Sequence, residues 1–489
     1  MKTKIIFFLI ILVSVLLRIY GIEDKNLWFD EVYSWKLSRY NLTDIVSLTS
    51  GDIHPPLFYI LLKFWTGIFS DSIVSMRMLS AFFGVLSILF LYKLSKIFLK
   101  NNIQIFFVVL IYMVSPLNIF YSQEVRMLNL NLFLCLGSVY YFFKFSENQN
   151  FKTGSIYVFF SVLAIYTHYF ALLIIFSQLV IAISNYFFNG KDRKSLFRSL
   201  KYLFTIFIFY IPWISVFIGQ VTKGQPWRTE QSIRQVGKNL LDYFKDIFFS
   251  SYFTFESNAL MIFASIFSIF ILLFLVYSFI RILNERSFFS SKINMVLLIF
   301  LIPLAIALII SFRQSIVLSR YLSIILPYLF IVLVYFIFKQ FKPKAAYSLC
   351  IFLILVSCYG TYINYNNKFK NNDYRKIISY LEKNYSAGDV IIAEPHFMGW
   401  SIDYYVEHNE TNIRKPEVLG WDLNMQIDSL KKLNYINNVW VITDYSSLDN
   451  TKYDSLNKLM QDLDFTQKQK KSFYLIPSKV NVEYYTKSQ

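Results

Sequence analysis

Cysteine, glycine and charge are all scarce in this sequence. Among 489 residues there are three cysteines, 14 glycines and 16% charged side chains, whereas soluble globular proteins carry roughly 25% charge. Cys135, Cys350 and Cys358 lie inside apolar runs with no CxxC pair and no histidine nearby, so we expect small buried side chains and not a metal site. The low charge excludes an ordinary water-soluble globule.

Motifs for nucleotides and nucleic acids are missing as well. No GxGxxG, GxxxxGKS/T or HExxH pattern occurs, and the chain has no internal repeat. We therefore expect no nucleotide cofactor. The net charge is +17, but the Lys and Arg residues lie between apolar runs and in the C-terminal tail. Because they form no continuous stripe, the pattern does not indicate nucleic-acid binding.

Long apolar runs make up most of the chain instead. Hydrophobic residues account for 56% of the sequence and aromatic residues for 20%, with a mean hydropathy of +0.45. Since one membrane span needs about 20 apolar residues, these runs predict a polytopic α-helical membrane protein with about eleven transmembrane helices. The predicted spans are residues 5–20, 73–92, 103–120, 128–143, 155–166, 170–188, 200–218, 258–280, 293–310, 317–338 and 345–362.

Basic residues mark every second connection between these spans, which predicts the orientation. By the positive-inside rule the basic loops and the N-terminus are cytoplasmic, and the C-terminal tail is extracytoplasmic. No small-x-small cleavage site follows the first apolar run, so we expect a retained span and not a cleaved signal peptide. Few glycines with abundant Lys, Asn, Ile and Phe suggest an AT-rich bacterial genome, and hence the bacterial inner (plasma) membrane.

The chain divides into two predicted domains. Residues 1–364 form the membrane domain, which includes a long first loop at 21–72 and a short apolar stretch at 56–69, interpreted as an interfacial or re-entrant helix. Residues 365–489 are soluble in character and predict a small extracytoplasmic α/β domain. Its predicted helices are 374–383, 401–407 and 454–463, and its predicted strands are 389–393, 439–443 and 473–476.

The sequence WFDEVYSW, just after the first span, carries the sharpest chemical signal. Asp30 and Glu31 are adjacent carboxylates between Trp28 and Tyr33. Carboxylates at a membrane interface are costly without a function or a partner, and apolar rings tend to raise their pKa, which suits a general base. Alternatively, both acids cap the first helix of the loop. We favour catalysis, because capping does not require two acids among so many aromatic rings.

The sequence DIHPPLFY follows in the same loop. Its two prolines fix the entry into the short helix at 56–69 and hold His54 in one position. A neutral His54 bonded to the loop backbone and a His54 that binds phosphate or metal are about equally compatible with the sequence.

The sequence YSQEVR precedes the fourth span on the same predicted face. Tyr121 and Gln123 flank Glu124 and Arg126. Residues two apart on a helix point in nearly opposite directions, so the two charged side chains need separate partners if this stretch is helical. The sequence leaves open which of them faces a cavity.

Two short turns complete the set of polar positions on this face. The sequence THYF contains His168, and the sequence SRYL contains Arg320 and Tyr321. An arginine at such a depth either anchors to headgroups or binds phosphate through its planar guanidinium group. We favour phosphate binding for Arg320, and a structural or anchoring role for His168 and the nearby Arg313.

Together and in this order, these motifs resemble the GT-C superfamily of polyprenyl-phosphate-sugar glycosyltransferases, in the branch of protein O-mannosyltransferases and lipid A aminoarabinose transferases. The resemblance covers the membrane part of the chain, to about residue 362. The segments that carry it are WFDEVYSW, HPPLFYILLKFW with Arg77 and Ser80 after it, YSQEVRMLNL, THYF and SRYL. It implies a GT-C fold and inverting transfer of a sugar from a polyprenyl-phosphate donor to an extracytoplasmic glycan, lipid or protein.

The resemblance also implies roles for individual residues. The catalytic base falls on Asp30, with Glu31 beside it, and the acid of the second outer loop falls on Glu124. The positions that would bind the donor phosphate fall on Arg126, Arg320 and His54. The remaining cavity-lining positions are Trp28, Tyr33, Tyr121, Gln123, His168 and Tyr321.

Cofactor and partners follow from the same resemblance. The resemblance leaves open whether a divalent metal ion binds, and its candidate ligands are Asp30, Glu124 and His54. The expected partners are the lipid-linked donor, membrane lipids and the acceptor, without nucleic acid. The alternative function is a flippase or transporter of lipid-linked oligosaccharides, although transporters place their polar residues near the bilayer midplane, often in paired repeats. A non-catalytic scaffold of an envelope complex is a third, weaker interpretation.

Overall fold

The computed structural model describes most of the chain, as helices followed by a small sheet. The described residues are 2–188, 190, 192–224, 228–249, 258–283, 292–366, 374–386, 389–394, 397–408, 438–444, 458, 460–474 and 479–487. The helices are α1 (Lys2–Ile19), α2 (Phe29–Ser38), α3 (Leu42–Gly51), α4 (Leu57–Phe69), α5 (Ile73–Phe98), α6 (Asn102–Met113), α7 (Pro116–Ser122), α8 (Leu128–Asn148), α9 (Phe151–Ile165), α10 (Ala171–Phe188), α11 (Arg193–Lys223), α12 (Ile233–Phe248), α13 (Asn258–Leu283), α14 (Lys292–Ser311), α15 (Ser319–Leu322), α16 (Leu326–Gln340), α17 (Pro343–Asn366), α18 (Tyr374–Asn384) and α19 (Phe397–His408).

The chain forms two compact units. The first contains Met1–Tyr20, Tyr40–Ile68 and Met76–Asn367, and the second contains Gly21–Arg39, Phe69–Ser75 and Lys368–Gln489. The predicted division differs from this one, because it assigned the whole first loop, 21–72, to the membrane domain. The second unit instead includes two parts of that loop, together with the C-terminal segment.

Apolar helices dominate the first unit. Within the described residues, eight helices are long and apolar enough to cross a membrane, or nine if the pair α6 and α7, bent by 52°, forms one span. The eleven predicted spans each coincide with a helix or helix pair, but α1 and α9 are among the shorter apolar helices. The stretch predicted to be too short for a span forms the 13-residue helix α4.

Burial separates the central helices from the peripheral ones. In the helical run Ser319–Gln340, 89% of the apolar window is buried, whereas in α11 only 17% is buried. Helix α11 exposes large apolar side chains such as Phe204, Phe207 and Ile211. In water such exposure would be costly, so the unburied apolar surface of the first unit suits contact with lipid. Helix α16 is apolar on all sides, as expected of a helix that is surrounded by other parts of the protein.

One glycine allows two helices of the first unit to approach closely. Helix α17 packs against α12 at Gly360, where an added Cβ would lie 2.2 Å from the carbonyl oxygen of Phe248 and 2.8 Å from the Cα of Phe249. Both neighbours are backbone atoms, so they cannot yield by changing rotamer. Only a residue without a side chain therefore lets the C-terminal end of α12 lie this close to α17.

We expect Gly360→Ala to lower the stability of the folded protein by about 1–3 kcal/mol, the usual cost of overpacking. Thermal unfolding of the purified protein in detergent measures the change. Gly219→Ala in α11 is the matched control, because nothing lies within 4 Å of its added Cβ. A Gly360→Ala protein that unfolds at the wild-type temperature would contradict the close approach.

The second unit contains a four-stranded sheet in the order β1-β2-β4-β3. Strands β1 (Val390–Glu394) and β2 (Asn438–Asp444) pair in parallel, whereas β4 (Lys479–Lys487) pairs antiparallel with β2 and with β3 (Phe465–Tyr474). The predicted strands at 389–393 and 439–443 and the helices at 374–383 and 401–407 are confirmed to within four residues at each end. Residues 473–474 of the predicted strand at 473–476 form the end of β3, residues 475–476 lie outside the described residues, and β4 was not predicted. Residues 454–457 and 459 of the last predicted helix lie outside the described residues.

Helix α2 packs on α19 within the second unit. Lys36 forms an ion pair with Asp403 at 3.1 Å, and Arg39 pairs with Glu407. The Tyr405 hydroxyl accepts a hydrogen bond of 2.8 Å from the backbone N–H of Leu27. The sequence that bears the two predicted catalytic acids is thus held by a helix of the C-terminal segment.

An aspartate and a histidine form a pH-sensitive pair in the same unit. His408 Nε2 lies 3.1 Å from Asp71 Oδ1, His408 Nδ1 lies 2.8 Å from the Tyr404 carbonyl oxygen, and the Trp35 indole N–H donates to Asp71 Oδ2 at 2.9 Å. The His408 hydrogen bond is the main reason why the pKa of Asp71 is lowered. Burial lowers the pKa of His408, but the Asp71 hydrogen bond, the Tyr404 carbonyl and nearby negative charge together raise it.

We expect this pair to stabilise the second unit in a limited pH window. The contribution of His408 is complete below about pH 6.5, its ordinary pKa, and is lost as the pH rises through the raised value. The contribution of Asp71 is present above about pH 4 and is lost as the pH falls further. His408→Gln should remove up to ~1 kcal/mol at pH 6 and little at pH 9, since both side chains are partly exposed and the solvent screens their charges. Unfolding followed by tryptophan fluorescence from pH 5 to 9 measures this difference, and an unchanged pH profile in the variant would contradict it.

Candidate active site

Two histidines from distant parts of the sequence meet in the first unit. The rings of His54, before α4, and His168, after α9, lie 5.3 Å apart between centroids. The backbone explains this approach, because the first N–H of α4, from Leu57, donates to the carbonyl oxygen of Tyr166 at 3.1 Å. Both side chains are buried, with exposed fractions of 7% and 4%.

Three arginines surround this histidine pair. Burial is the largest cause of the lowered pKa of both histidines, and the positive charges of Arg126, Arg228 and Arg320 lower it further. The pKa of His168 falls to about 3, and that of His54 falls well below its usual range. Both rings are therefore neutral at physiological pH, and the guanidinium groups carry the positive charge of the cluster.

Tyr321 provides a ring on which two of these arginines lie. The guanidinium carbon of Arg228 is 4.8 Å from the ring centroid and that of Arg320 is 5.1 Å away. Arg228 also donates a hydrogen bond to the Tyr321 hydroxyl. The Tyr321 ring also stacks on the Phe170 ring, with 5.0 Å between centroids, and its centroid lies 5.4 Å from that of His168. Tyr321 thus connects the SRYL turn to the THYF turn.

Helix α12 holds the SRYL turn in position. The Ser319 hydroxyl donates to Asp246 Oδ2 at 2.5 Å, and the Tyr243 hydroxyl donates to the Leu322 carbonyl oxygen at 3.2 Å. Burial raises the pKa of Asp246 to about 8, despite the Ser319 hydrogen bond, which lowers it. The carboxyl group is therefore mostly protonated at pH 7, and α12 supports Arg320 without adding a full negative charge.

The segment that contains Glu124 and Arg126 is a turn and not a continuous helix. Helix α7 ends at Ser122, α8 begins at Leu128, and the N–H of Arg126 donates to the Glu124 carbonyl oxygen at 2.8 Å. The stretch is therefore not helical, and the opposite orientation expected for helical residues two apart does not apply to Glu124 and Arg126. Both side chains are buried, at 3% and 7% exposed.

Gln123 lies in the same turn, and Tyr121 lies in the last turn of α7 just before it. Gln123 Nε2 donates to the carbonyl oxygens of Arg18 and Tyr20, at 3.1 Å and 2.7 Å. Carbonyl groups at a helix end lack partners within the helix, so Gln123 satisfies the end of α1. Tyr121 is buried and its ring lies 5.2 Å from that of Phe120.

The two predicted catalytic acids lie on α2, in the second unit. Glu31 is fully buried, and its carboxylate accepts a hydrogen bond of 3.3 Å from the backbone N–H of Trp28, which caps the helix. Asp30 is only partly buried, and its carbonyl oxygen accepts from the Ser34 hydroxyl at 2.9 Å. The adjacent acids therefore differ. Glu31 caps the start of α2, which is the role considered above as the alternative to catalysis for both acids.

The aromatic residues around these acids pack inside the second unit. Tyr33 lies 5.7 Å from Trp400 and 6.3 Å from Phe29, between ring centroids. Phe29 in turn stacks on Trp400 at 6.2 Å. Trp28 precedes the first residue of α2 and is partly buried.

The candidate metal ligands belong to different units of the chain, Asp30 to the second and Glu124 and His54 to the first. Within the residues that the structure describes, no group of three or more His, Cys, Asp or Glu side chains is placed to hold one. Near His54, a candidate ligand, the surrounding charge comes from three guanidinium groups, which repel a cation and attract an anion. The cluster of Arg126, Arg228, Arg320, His54, His168 and Tyr321, called here the arginine cluster, suits an oxyanion.

Sequence reasoning missed Arg228. It follows Pro226 and Trp227 in the loop between α11 and α12, and no motif of the resemblance includes it. A signal was present, since an arginine beside a tryptophan lies in a loop on the same predicted face as the other polar motifs. The position of Arg228 on Tyr321 required the fold.

Comparisons with known proteins match part of the sequence and the whole fold. Residues 53–217 match the family model of dolichyl-phosphate-mannose-protein mannosyltransferases. No curated protein sequence matches the chain. The matched segment includes His54, Glu124, Arg126 and His168, and ends before Arg228 and Arg320.

Two solved structures share the fold at low sequence identity. ArnT from Cupriavidus metallidurans bound to undecaprenyl phosphate has a TM-score of 0.57 at 10% identity, covering 97% of each chain. AglB from Archaeoglobus fulgidus, an archaeal oligosaccharyltransferase in complex with an inhibitory peptide and a dolichol-phosphate, has a TM-score of 0.52 at 12% identity. That match covers 100% of this chain and 75% of the other. The predicted fold class is confirmed.

Proposed function

We propose that this chain is a membrane glycosyltransferase of the GT-C superfamily, in the branch of the protein mannosyltransferases and ArnT, and that it transfers a sugar from a polyprenyl-phosphate donor to an extracytoplasmic acceptor with inversion. The lipid phosphate is the leaving group, so the bond between the anomeric carbon and the phosphate oxygen breaks. An acceptor oxygen forms the new bond to the anomeric carbon and gives its proton to a carboxylate.

The arginine cluster is the observation that carries this proposal. The charges of Arg126, Arg228 and Arg320 act on two neutral histidines, and two of these arginines lie over the Tyr321 ring. Arginine is suited to phosphate because its planar guanidinium donates two parallel hydrogen bonds. When the sugar leaves, the phosphate gains a negative charge, and fixed cations stabilise that developing charge more than they stabilise the donor. ArnT, whose fold the chain shares, is bound to undecaprenyl phosphate, which is compatible with this ligand class.

Asp30 is the proposed general base. Glu31 is fully buried and caps α2, whereas Asp30 is partly buried in the first turn of the same helix. A base must reach the acceptor proton, which favours the less buried acid. Glu124 is proposed to help organise the acceptor, as the resemblance implies. These roles fit the reaction, because a carboxylate can take the proton of the acceptor oxygen while cations stabilise the phosphate that leaves.

The acceptor and the location complete the proposal. We propose a bacterial inner-membrane enzyme whose N-terminus is cytoplasmic and whose C-terminal domain is extracytoplasmic, with a surface glycan, lipid or protein as acceptor. The polyprenyl tail of the donor would lie among membrane lipids beside the exposed apolar helices. As part of this proposal, residues 1–364 act as the membrane glycosyltransferase domain and residues 365–489 as a soluble extracytoplasmic domain.

A transfer assay tests this function against the flippase alternative. The purified protein is reconstituted in vesicles with a radiolabelled polyprenyl-phosphate sugar and an extract of native envelope lipids and glycans. We expect the label to move to an acceptor while polyprenyl phosphate is released. If the label stays on the polyprenyl lipid but crosses to the other leaflet, the flippase function replaces the transferase.

A further inference from the structure

Within the part of the chain that the structure describes, one buried atom of the arginine cluster lacks a hydrogen-bond partner. The His168 side chain is 4% exposed, and within the described residues its Nε2 atom has no hydrogen-bond partner. Buried polar atoms are nearly always paired, because leaving one unpaired costs about 1–3 kcal/mol. An unpaired nitrogen beside three arginines therefore indicates that a ligand atom completes its hydrogen bond.

The partner of the other ring nitrogen fixes the tautomer of His168. The backbone N–H of Phe170 donates to His168 Nδ1 at 3.2 Å, so Nδ1 is an acceptor and carries no proton. Burial, then the charges of the three arginines, lower the pKa of His168 to about 3, which keeps the ring neutral. In a neutral imidazole the single proton then lies on Nε2. His168 consequently offers one N–H donor and no charge.

The neighbours of this donor indicate what it binds. The His168 ring lies 5.3 Å from His54 and 5.4 Å from Tyr321, the ring that Arg228 and Arg320 approach. The partner must be an acceptor, and the surrounding guanidinium groups favour an anionic one. A phosphate has several acceptor oxygens, so it can receive bonds from arginines and from a neutral N–H together.

We infer that the Nε2–H of His168 donates a hydrogen bond to a phosphate oxygen of the polyprenyl-phosphate lipid, as a neutral binding residue among the three arginines. This inference rests on the proposed function. It gives a ligand contact to His168, for which the sequence favoured a structural role. A protonated histidine would lose its phosphate contact as the pH rises, whereas this neutral donor keeps the same bond from pH 5 to 9.

Two substitutions separate the donor from the shape of the ring. The amide nitrogen of a glutamine reaches the position of Nε2, whereas an asparagine reaches only that of Nδ1. Binding of polyprenyl phosphate without sugar is measured on the full chain in lipid nanodiscs. We expect His168→Asn to weaken binding about tenfold, which corresponds to the loss of one hydrogen bond. His168→Gln should restore the affinity to within about threefold of the wild type.

A second readout does not depend on binding strength or catalysis. With ¹⁵N-labelled histidine, the chain gives signals from four residues, and His168 is assigned by its loss in His168→Gln. We expect the Nε2-protonated neutral form at every pH from 5 to 8, and a shift of that N–H signal when polyprenyl phosphate is added. Thermal unfolding of each variant shows whether it is folded.

Distinct outcomes overturn this inference and the proposed function. The His168 contact is refuted if the wild type binds polyprenyl phosphate and folded His168→Asn binds it equally well. It is also refuted if only the binding of the sugar-bearing donor weakens, since the N–H would then contact the sugar. If the wild type neither binds polyprenyl phosphate nor transfers sugar, the proposed function fails and the His168 contact fails with it.

Discussion

Asp30→Asn should lower sugar transfer by about 10²- to 10⁴-fold, the usual contribution of a general base. The amide keeps the size and much of the hydrogen bonding of the carboxylate but cannot accept the acceptor proton. Binding of the polyprenyl-phosphate donor should change little, since its phosphate is assigned to the arginine cluster. The measurement is the initial rate of transfer in reconstituted vesicles, with donor binding measured on the same preparation.

Glu31→Gln is the matched control for this substitution. Glutamine at the third position of a helix still accepts a hydrogen bond from the cap backbone, so α2 should keep its start and the protein most of its activity. If Asp30→Asn is folded and transfers sugar as fast as the wild type, Asp30 is not the base. A large loss in Glu31→Gln with none in Asp30→Asn would assign the base to Glu31.

Arg228→Gln should weaken binding of polyprenyl phosphate by roughly 10- to 150-fold, equivalent to about 1.5–3 kcal/mol for a hydrogen bond to a charged group. The loss combines a phosphate contact with the contact of Arg228 on the Tyr321 ring. Arg228→Lys keeps the charge but not the planar pair of donors, so we expect only partial recovery. Titration of polyprenyl phosphate into the protein in nanodiscs measures all three affinities.

Arg313→Gln is the control for the loss of one positive charge. Arg313 is exposed in the connection between α14 and α15, near the SRYL turn in sequence but not among the charges that act on His54 and His168. We expect its affinity for polyprenyl phosphate to equal that of the wild type. Equal losses in Arg228→Gln and Arg313→Gln would mean that overall charge, and not the cluster, attracts the lipid.

The fold was predicted well because membrane spans have a strong compositional signal. A continuous apolar run such as 293–310 has few alternatives, and the corresponding helix α14 is present. The soluble segment was predicted less completely. Strand β4 alternates buried Val480 and Val482 with polar residues, but Asn481 and Glu483 are buried too, so its apolar pattern is weak.

The sequence indicated several residues of the candidate site but not how these residues are arranged. Short motifs revealed His54, Arg126 and Arg320, because rare polar residues stand out among apolar spans. The approach of His54 to His168 depends on a hydrogen bond between Leu57 and Tyr166, which lie more than 100 residues apart in sequence. Tertiary contacts of this kind leave no local pattern. For the same reason the sequence could not separate the capping role of Glu31 from the exposure of Asp30.

The most direct test of the proposed reaction follows the phosphate and the anomeric centre together. The purified wild-type protein is incubated with a polyprenyl-phosphate sugar and native envelope acceptors, and NMR records the lipid phosphate and the anomeric configuration of the product. The proposed reaction predicts one polyprenyl phosphate released for each sugar transferred, with the configuration inverted. Transfer with retained configuration, or loss of the donor without formation of polyprenyl phosphate, would contradict it.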